Sequence, residues 1–136
     1  MPLLSRKGIL AIAAVIDVAI HAHGRPMSAK ALAARHKLPP RHLEPVLQAL
    51  VRDGILKGVR GPHGGYELAR EQRRISAEDI LRAAGTAEES GEPPLSSSTL
   101  VNDVIRPALA EAERVFSTAL GRISIEHMTK QAHTQK

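Results

Sequence analysis

The apolar residues near the start of the chain are dense. From about Ser5 to His21 or His23 they recur on more than one side of a helix, which predicts a buried first helix. A glycine and a proline shortly afterwards predict its end. A secretion signal is the alternative, but Asp17 interrupts the run, no cleavage site follows, and the run is too short to cross a bilayer. We therefore expect a core helix in a cytoplasmic protein without a membrane segment.

A short second helix is predicted next. Ser28 is a good N-cap for it, because a hydroxyl oxygen accepts hydrogen bonds from the first backbone N–H groups of a helix. The helix would run from Ala29 to about His36, and residues 37–40 would form a tight link to the next element. Its apolar face would consist of Ala31, Leu32 and Ala34.

The third predicted helix runs from about Arg41 to Asp53 and ends at Gly54. We expect it to start near Arg41 or His42, because Pro45 then falls in the first turn, where a missing N–H costs little. Its core face follows the helical spacing and consists of Leu43, Val46, Leu47 and Leu50.

A two-stranded hairpin is predicted after the third helix. Residues 55–60 and 66–69 have strand character, and the loop between them holds Pro62 and three glycines, Gly61, Gly64 and Gly65. Proline stiffens such a loop and glycine permits close backbone approach, so the loop forms a tight tip with Arg60 at its base. An ordinary surface hairpin with a solvated arginine is the alternative.

The rest of the chain is predicted to hold a capped helix, a loop and a long helix. Ser76 and Asp79 occupy capping-box positions for a helix that ends near Gly85. Residues 86–99 are rich in Glu, Ser, Gly and Pro, which predicts a flexible loop. From residue 100 an apolar stripe follows a helix of about five turns, in which Pro107 is a candidate for a bend, and a last short helix follows at about 124–131.

The charge is unevenly distributed. Residues 25–74 hold eleven Lys and Arg against four acidic residues, whereas residues 75–136 hold six against nine. A basic first part indicates binding to a polyanion. With one Tyr and one Phe, the chain cannot build the stacking surfaces that bind single-stranded nucleic acid, so a duplex is the expected ligand.

This order of elements is that of a winged helix-turn-helix, a mainly α-helical fold with a two-stranded β-wing. In it the third helix enters the major groove of B-DNA and the wing lies beside a minor groove. Glu44 could accept from cytosine, and Arg60 could enter a narrow minor groove. An N-terminal acid stabilised by the helix dipole is the alternative for Glu44. The candidate DNA-binding residues are Ser28, Lys30, Pro40, Arg41, His42, Glu44, Gln48, Lys57, Arg60, Gly61, His63, Gly64 and Gly65.

Four segments carry a family resemblance: LSRKG at 4–8, LPPRHLEPVLQALVRDGIL at 38–56, VRGPHGGYELAR at 59–70 and ISAEDILRA at 75–83. They resemble the bacterial Rrf2 family of winged-helix transcription regulators, which includes the IscR, NsrR, RirA and CymR types. The resemblance is close over about residues 3–83 and looser over the long helix. It matches Glu44 to the family's base-reading carboxylate and Arg60 to its minor-groove arginine.

The resemblance implies a transcription regulator, expected to be a repressor, that binds a palindromic operator as a homodimer. Residues 1–85 would form the DNA-binding domain, 86–99 a loop, and 100–136 a dimerisation helix and tail. The long helix would pack against its mate. The expected dimer interface consists of Leu100, Val104, Ile105, Ala108, Leu109, Ala112, Phe116 and Leu120.

The chain departs from the iron–sulfur members of that family. They carry three cysteines before the long helix, where this chain reads GTAEESGEPPLSSST, and it has no cysteine at all. Without a thiolate such a cluster cannot be held, so no cofactor is expected. His21 and His23 are the closest pair among seven histidines, but no acidic third ligand is near, so no metal site is predicted.

The sequence contains no nucleotide-binding loop, no nucleophile elbow and no zinc-hydrolase helix. We therefore do not expect an enzyme. The alternative function is a winged-helix module that docks a metabolic enzyme or another protein. Whether an effector or a protein partner acts on the chain stays open. Duplex binding should weaken steeply with salt, whereas an apolar protein interface should not.

Overall fold

The computed structural model describes residues 5–21, 25–86 and 99–134. These ranges form helices and one two-stranded antiparallel sheet, which confirms the predicted mainly helical fold with a hairpin wing. A 3-10 turn, Gln72–Arg74, precedes the fourth helix, and a π-helical turn, Val101–Ile105, precedes the fifth. The elements are α1 (Arg6–His21), α2 (Ala29–Arg35), α3 (Pro40–Arg52), β1 (Leu56–Val59), β2 (Gly65–Leu68), α4 (Ala77–Thr86), α5 (Arg106–Gly121) and α6 (Ile125–Thr134).

Helix α1 lies at the centre of the core. Its small side chains Ala11, Ala14, Val15 and Val18 are fully buried, and the helix packs against α3, α4, α6 and β2. Small residues let several neighbours approach one helix closely, which is why the apolar run is dense on more than one side. None of the helices in the described ranges combines the length and the apolar character needed to span a bilayer.

Asp17 interrupts the apolar run of α1 for a structural reason. Its carboxylate is almost fully buried, with Oδ1 at 3.0 Å from Arg35 Nε and Oδ2 at 2.7 Å from His36 Nε2. A buried carboxylate without partners would be costly, so these two contacts let α1 carry an acid in the core. They also tie α1 to the end of α2.

The predicted N-cap of α2 is confirmed, and its predicted apolar face is partly wrong. Ser28 Oγ accepts a hydrogen bond from Ala31 N at 3.0 Å. Leu32 and Ala33 are buried, whereas Ala31 and Ala34 are exposed. A helix of two turns that holds four alanines gives little contrast between its faces, so periodicity could not distinguish Ala33 from its neighbours.

The link between α2 and α3 is a Schellman-type end. Lys37 N donates to Ala34 O at 3.3 Å and Leu38 N donates to Ala33 O at 3.0 Å. Lys37 adopts a left-handed conformation with φ 55°, which glycine usually occupies. Three residues after Lys37 the next helix begins, so the turn is as tight as the sequence predicts.

Helix α3 starts one residue earlier than predicted. Pro40 is its first residue, so Pro45 lies in the second turn, and the expectation of a start at Arg41 or His42 was wrong. Proline suits a first helical position because its φ is preset and its missing N–H is not needed there. Pro45 is exposed, and its missing N–H removes the helical hydrogen bond to the Arg41 carbonyl. The predicted core face is confirmed, since Leu43, Val46, Leu47 and Leu50 are all fully buried.

The wing is slightly shorter than the predicted strands. Leu56 pairs with Leu68 and Val59 with Gly65. Met27 adds a bridge to the outer edge, because Met27 N donates to Tyr66 O at 3.0 Å and Tyr66 N donates to Met27 O at 2.9 Å. The wing is therefore bonded to the residue that precedes the N-cap of α2.

Arg70, two residues after the wing, connects the wing to the end of α3 and to the start of α4. Its guanidinium donates to Gly54 O at 3.1 Å, to Asp53 O at 3.2 Å, and to Asp79 Oδ2 at 3.3 Å. The first two oxygens belong to the end of α3, and Asp79 belongs to the capping box of α4. That box is confirmed, since Ser76 and Asp79 exchange backbone-to-side-chain hydrogen bonds of 3.1 Å.

The last helices leave the core and then return to it. The π-helical turn ends two residues before Pro107, which lacks the N–H that would bond to the Asp103 carbonyl in a regular helix. Helix α6 packs on α1 and places Ile125, fully buried, in the same core as α3 and α4. The core therefore also draws on the segment after residue 100, while residues 87–98 of the predicted loop 86–99 lie outside the described residues.

Candidate nucleic-acid interface

One face of α3 is polar and exposed. Arg41, Glu44 and Gln48 recur at three- and four-residue spacing opposite the buried leucines, and all three are exposed. Arg52 lies one turn beyond Gln48 on the same face and is also exposed, although it was not among the predicted residues. Its four-residue distance from Gln48 was the signal for it. His42 is exposed beside this face, and Pro40 starts the helix.

Glu44 is the acidic member of this face. Within the described part of the chain its side chain has no ion pair or hydrogen bond. It lies beyond the first turn of α3, which holds no acidic residue, so the helix dipole gives it little stabilisation. An exposed, unpaired carboxylate on a basic face retains its capacity to accept from a base amino group.

Arg60 lies directly after β1, at the base of the wing tip. It is exposed, and among the described residues its guanidinium has no ion-pair partner. Gly61 has φ +113°, and Gly64 N donates to Gly61 O at 3.0 Å to close the tip. A Cβ at Gly64 would lie 2.1 Å from Val59 O, so no larger residue fits there. His63, at the tip, is exposed.

Gly65 brings the wing against the start of α2. A Cβ on Gly65 would lie 2.5 Å from the Met27 carbonyl and 2.7 Å from Ser28 N, and its φ is +155°. The Met27–Tyr66 bridge runs through the same contact. The glycine is therefore needed because two backbones meet there, and Ser28 is held next to the wing.

Three further predicted DNA-binding residues are Ser28, Lys30 and Lys57. Lys30 on α2 is exposed, and Ser28 is half-buried with its oxygen occupied by the N-cap bond. Lys57 on β1 lies 3.8 Å from Glu67 across the strands, so it shares its charge with that acid. Arg25 was missed by the sequence analysis: it lines a cleft together with Ser28 and His63.

The predicted dimer-interface residues divide into two groups. Those in the first half of the long segment are strongly exposed, including Leu100 at 61% and Leu109 at 59%. Phe116 and Leu120 are half-buried and line a groove with Leu81 of α4. Val115 is 59% exposed and lies eleven residues after Val104, three turns along the same side of the helix, so it adds to the exposed apolar surface of this helix although it was not predicted.

Comparisons with known proteins agree with this architecture. The Rrf2 family profile, described as iron-dependent transcriptional regulators, matches residues 4–131. The HTH-type transcriptional regulator IscR of Xenorhabdus nematophila is 30% identical over 130 residues, which cover 93% of this chain and 79% of that protein. The solved structure of T. potens IscR superposes with a TM-score of 0.72 at 32% identity, covering 95% of this chain and 87% of that one. CymR, the global cysteine regulator of B. subtilis, has a TM-score of 0.71 at 25% identity, covering 94% and 96%.

The arrangement of α2, α3 and the wing defines a winged helix-turn-helix protein. The chain belongs to the Rrf2 family of transcriptional regulators. A Haemophilus influenzae relative is 39% identical over 80 residues, and the aligned part of this chain spans about half of it, 53%.

The iron in the family description was tested against the residues of this chain. Iron–sulfur clusters need thiolate ligands, and the 136 residues contain no cysteine. Within the described ranges no group of three or more His, Asp or Glu residues is placed to hold a metal ion. His23 of the predicted histidine pair lies outside those ranges. The residues present do not fit an iron–sulfur cluster.

Proposed function

We propose that this chain is a sequence-specific DNA-binding transcription regulator that acts as a homodimeric repressor on a palindromic operator. The observation that carries the proposal is the exposed α3 face of Arg41, Glu44 and Gln48, held by the same framework as Arg60 of the wing. An α-helix fits the major groove, and an arginine on an adjacent hairpin suits a narrow minor groove.

The rigidity of the framework supports this proposal. The Met27–Tyr66 bridge bonds the wing to the start of α2, and Arg70 bonds the chain after the wing to the end of α3. The wing is thus held to the start of α2 by backbone hydrogen bonds, and the chain after it is held to the end of α3 by the Arg70 side chain. Such connections would present the side chains to two grooves without reorganisation on binding.

Dimerisation is supported by the exposed apolar stripe on the long helix. Leu100, Val104, Leu109 and Val115 are each more than half exposed. Exposed apolar side chains concentrated on one helix mark an interaction surface. A two-fold dimer joined along this stripe would present two recognition helices and two wings to a palindrome.

We also propose that regulation by this chain does not use an iron–sulfur cluster. The absence of cysteine from the sequence supports this, because the cluster types known in proteins rely on thiolate ligands. A regulator that binds DNA acts where the DNA is, so the proposed function implies a cytoplasmic location. Protein prepared without oxygen should show no cluster absorbance and should bind the operator equally well before and after exposure to air.

Selection of bound duplexes from a randomised library tests the function. Recovered sequences should be inverted repeats with half-sites about one helical turn apart. The logarithm of the affinity for the selected duplex should fall linearly with the logarithm of salt concentration, with a slope of about −0.9 per phosphate contact. Failure to enrich any sequence, or affinity that ignores salt, would favour the protein-docking alternative. Increased transcription of the neighbouring gene after deletion would support repression.

A further inference from the structure

A groove of about 790 Å³ lies between the start of α1 and the start of α3. Its wall is mainly apolar and is formed by Ile9, Leu10, Ala13, Leu38 and Pro45. Ile9 is 44% exposed, so this chain leaves part of that apolar surface open to solvent. The size falls within the roughly 300–1,000 Å³ of small-molecule sites.

Cationic groups surround the apolar wall. Arg6 and Lys7 come from the first turn of α1, and Arg41 comes from the first turn of α3, where the imidazole of His42 lies next to it. None of the described residues that line the groove is acidic, and the described part of the chain offers Arg6, Lys7 and Arg41 no ion-pair partner. Both helices begin without an acidic residue, so their N-terminal dipoles add to the positive potential. His36 also lines the groove, but Asp17 already binds it.

We infer that this groove binds an amphipathic carboxylate, with the hydrocarbon part on the apolar wall and the carboxylate among Arg6, Lys7 and Arg41. A phosphate backbone would pair with the cations but would leave the apolar wall exposed to water. A neutral hydrocarbon would use the wall and leave the cations without a partner. A carboxylate with an apolar body complements both parts, and arginine suits a planar carboxylate.

The position of the groove gives such a ligand a regulatory consequence, which rests on the proposed function. Arg41 and His42 belong both to the groove and to the predicted DNA-binding face. A carboxylate held by Arg41 therefore competes with a duplex for the same side chain. By linkage the competition is reciprocal, so ligand weakens DNA binding by the factor by which DNA weakens ligand binding.

Titration of the full chain with decanoate, below its micelle-forming concentration and without DNA, tests the site. Calorimetry should show saturable binding to one site per chain, whereas 1-decanol and inorganic phosphate should each bind at least about tenfold more weakly. Ile9→Glu places an acid at the rim on an exposed position and should weaken decanoate binding about tenfold or more. Ile123→Glu is the matched control, because Ile123 is 37% exposed and lies outside the groove, and it should bind decanoate like the parent.

The same variants test the regulatory step. A decanoate concentration that just saturates the parent should lower the duplex affinity of the parent and of Ile123→Glu. The same concentration should have much less effect on Ile9→Glu. Equal binding of decanol and decanoate, parent-like binding by Ile9→Glu, or unchanged duplex affinity at saturation would each overturn the inference. If the true occupant of the groove is a second copy of the chain or one of its acidic helices, decanoate binding should weaken as the protein concentration rises. That result would also overturn the inference. Failure of the proposed function is distinguishable, because the unliganded protein would then bind no duplex at all.

Discussion

Arg60 is the residue that we propose for the minor groove. It is exposed, has no ion-pair partner among the described residues, and follows a strand that is bonded into the framework. We expect Arg60→Ala to weaken operator binding by about 1–3 kcal/mol, because a guanidinium is lost from a site of strong negative potential. Preference for narrow, A·T-rich flanks should be lost as well. Fluorescence anisotropy with duplexes of different flanking sequence measures both effects.

Arg82→Ala is the control for Arg60→Ala. Arg82 on α4 is exposed, pairs with Glu78, and lies in the groove between α4 and α5 that Phe116 lines. Its removal takes away the same charge, so any general electrostatic effect appears in both variants. Equal weakening of the two variants would remove Arg60 from the DNA-binding set.

Glu44→Ala should change base selection more than affinity. The lost carboxylate no longer accepts from a cytosine amino group, but its removal also relieves repulsion from phosphates. We therefore expect a small change in affinity for the parent operator and a loss of discrimination of about 1–3 kcal/mol at one base pair. Selection from a randomised operator library measures this, and identical preferences for variant and parent would contradict the role.

Single residues were predictable from sequence where periodicity determines their exposure. Arg41, Glu44 and Gln48 are exposed because Leu43, Val46, Leu47 and Leu50 occupy the opposite face. Arg70 was not predictable in the same way. Its acceptors at Asp53, Gly54 and Asp79 come together only when the chain after the wing returns to the end of α3 and the start of α4.

At the scale of elements, the contact between the wing and α2 depends on Gly65. A methyl group there would clash with the backbone of Met27 and Ser28 and would occupy a left-handed conformation. We expect Gly65→Ala to lower the free energy of unfolding by roughly 1–3 kcal/mol, because either the bridge or the conformation must give way. Operator affinity should fall too, since the wing loses its attachment. Thermal unfolding and DNA titration measure the two effects.

Gly58→Ala is the matched control within the same hairpin. A Cβ at Gly58 meets no atom within 4 Å, and its φ lies outside the left-handed region. Adding a methyl group there should leave stability nearly unchanged. If Gly65→Ala is as stable as Gly58→Ala, the close approach to Met27 does not hold the wing.

Elements with strong local signals were predicted well. The capping box of α4, the Ser28 cap and the hairpin each rest on residues a few positions apart, so a short window of sequence contains the cause. The start of α3 was placed one residue too late because either Pro40 or Pro45 could mark the first turn. The structure has Pro40 as the first residue, which leaves Pro45 in the second turn. The return of α6 to the core could not be foreseen, since it depends on contacts with α1 and on the hydrogen bond from Ile125 N to Ile75 O, both of which are distant in sequence.

At the scale of the whole molecule, the long helix carries exposed apolar side chains, among them Leu100, Val104 and Leu109. Leu109 is 59% exposed, so a charge there does not disturb the core of one chain. In a dimer joined along this stripe the same charge would be buried twice about the two-fold axis, opposite apolar side chains. Leu109→Glu should therefore separate the dimer while leaving each chain folded.

We expect Leu109→Glu to sediment as a monomer and to bind the palindromic operator roughly 10²-fold more weakly, because the two half-sites are no longer linked. Binding to an isolated half-site should change little. Ala110→Glu is the control: the neighbouring position is exposed on another side of the helix, and its charge should leave the dimer intact. An unchanged sedimentation coefficient for Leu109→Glu would place the interface elsewhere. Weak operator binding by both variants would instead mean that added negative charge, not loss of the dimer, reduces the affinity.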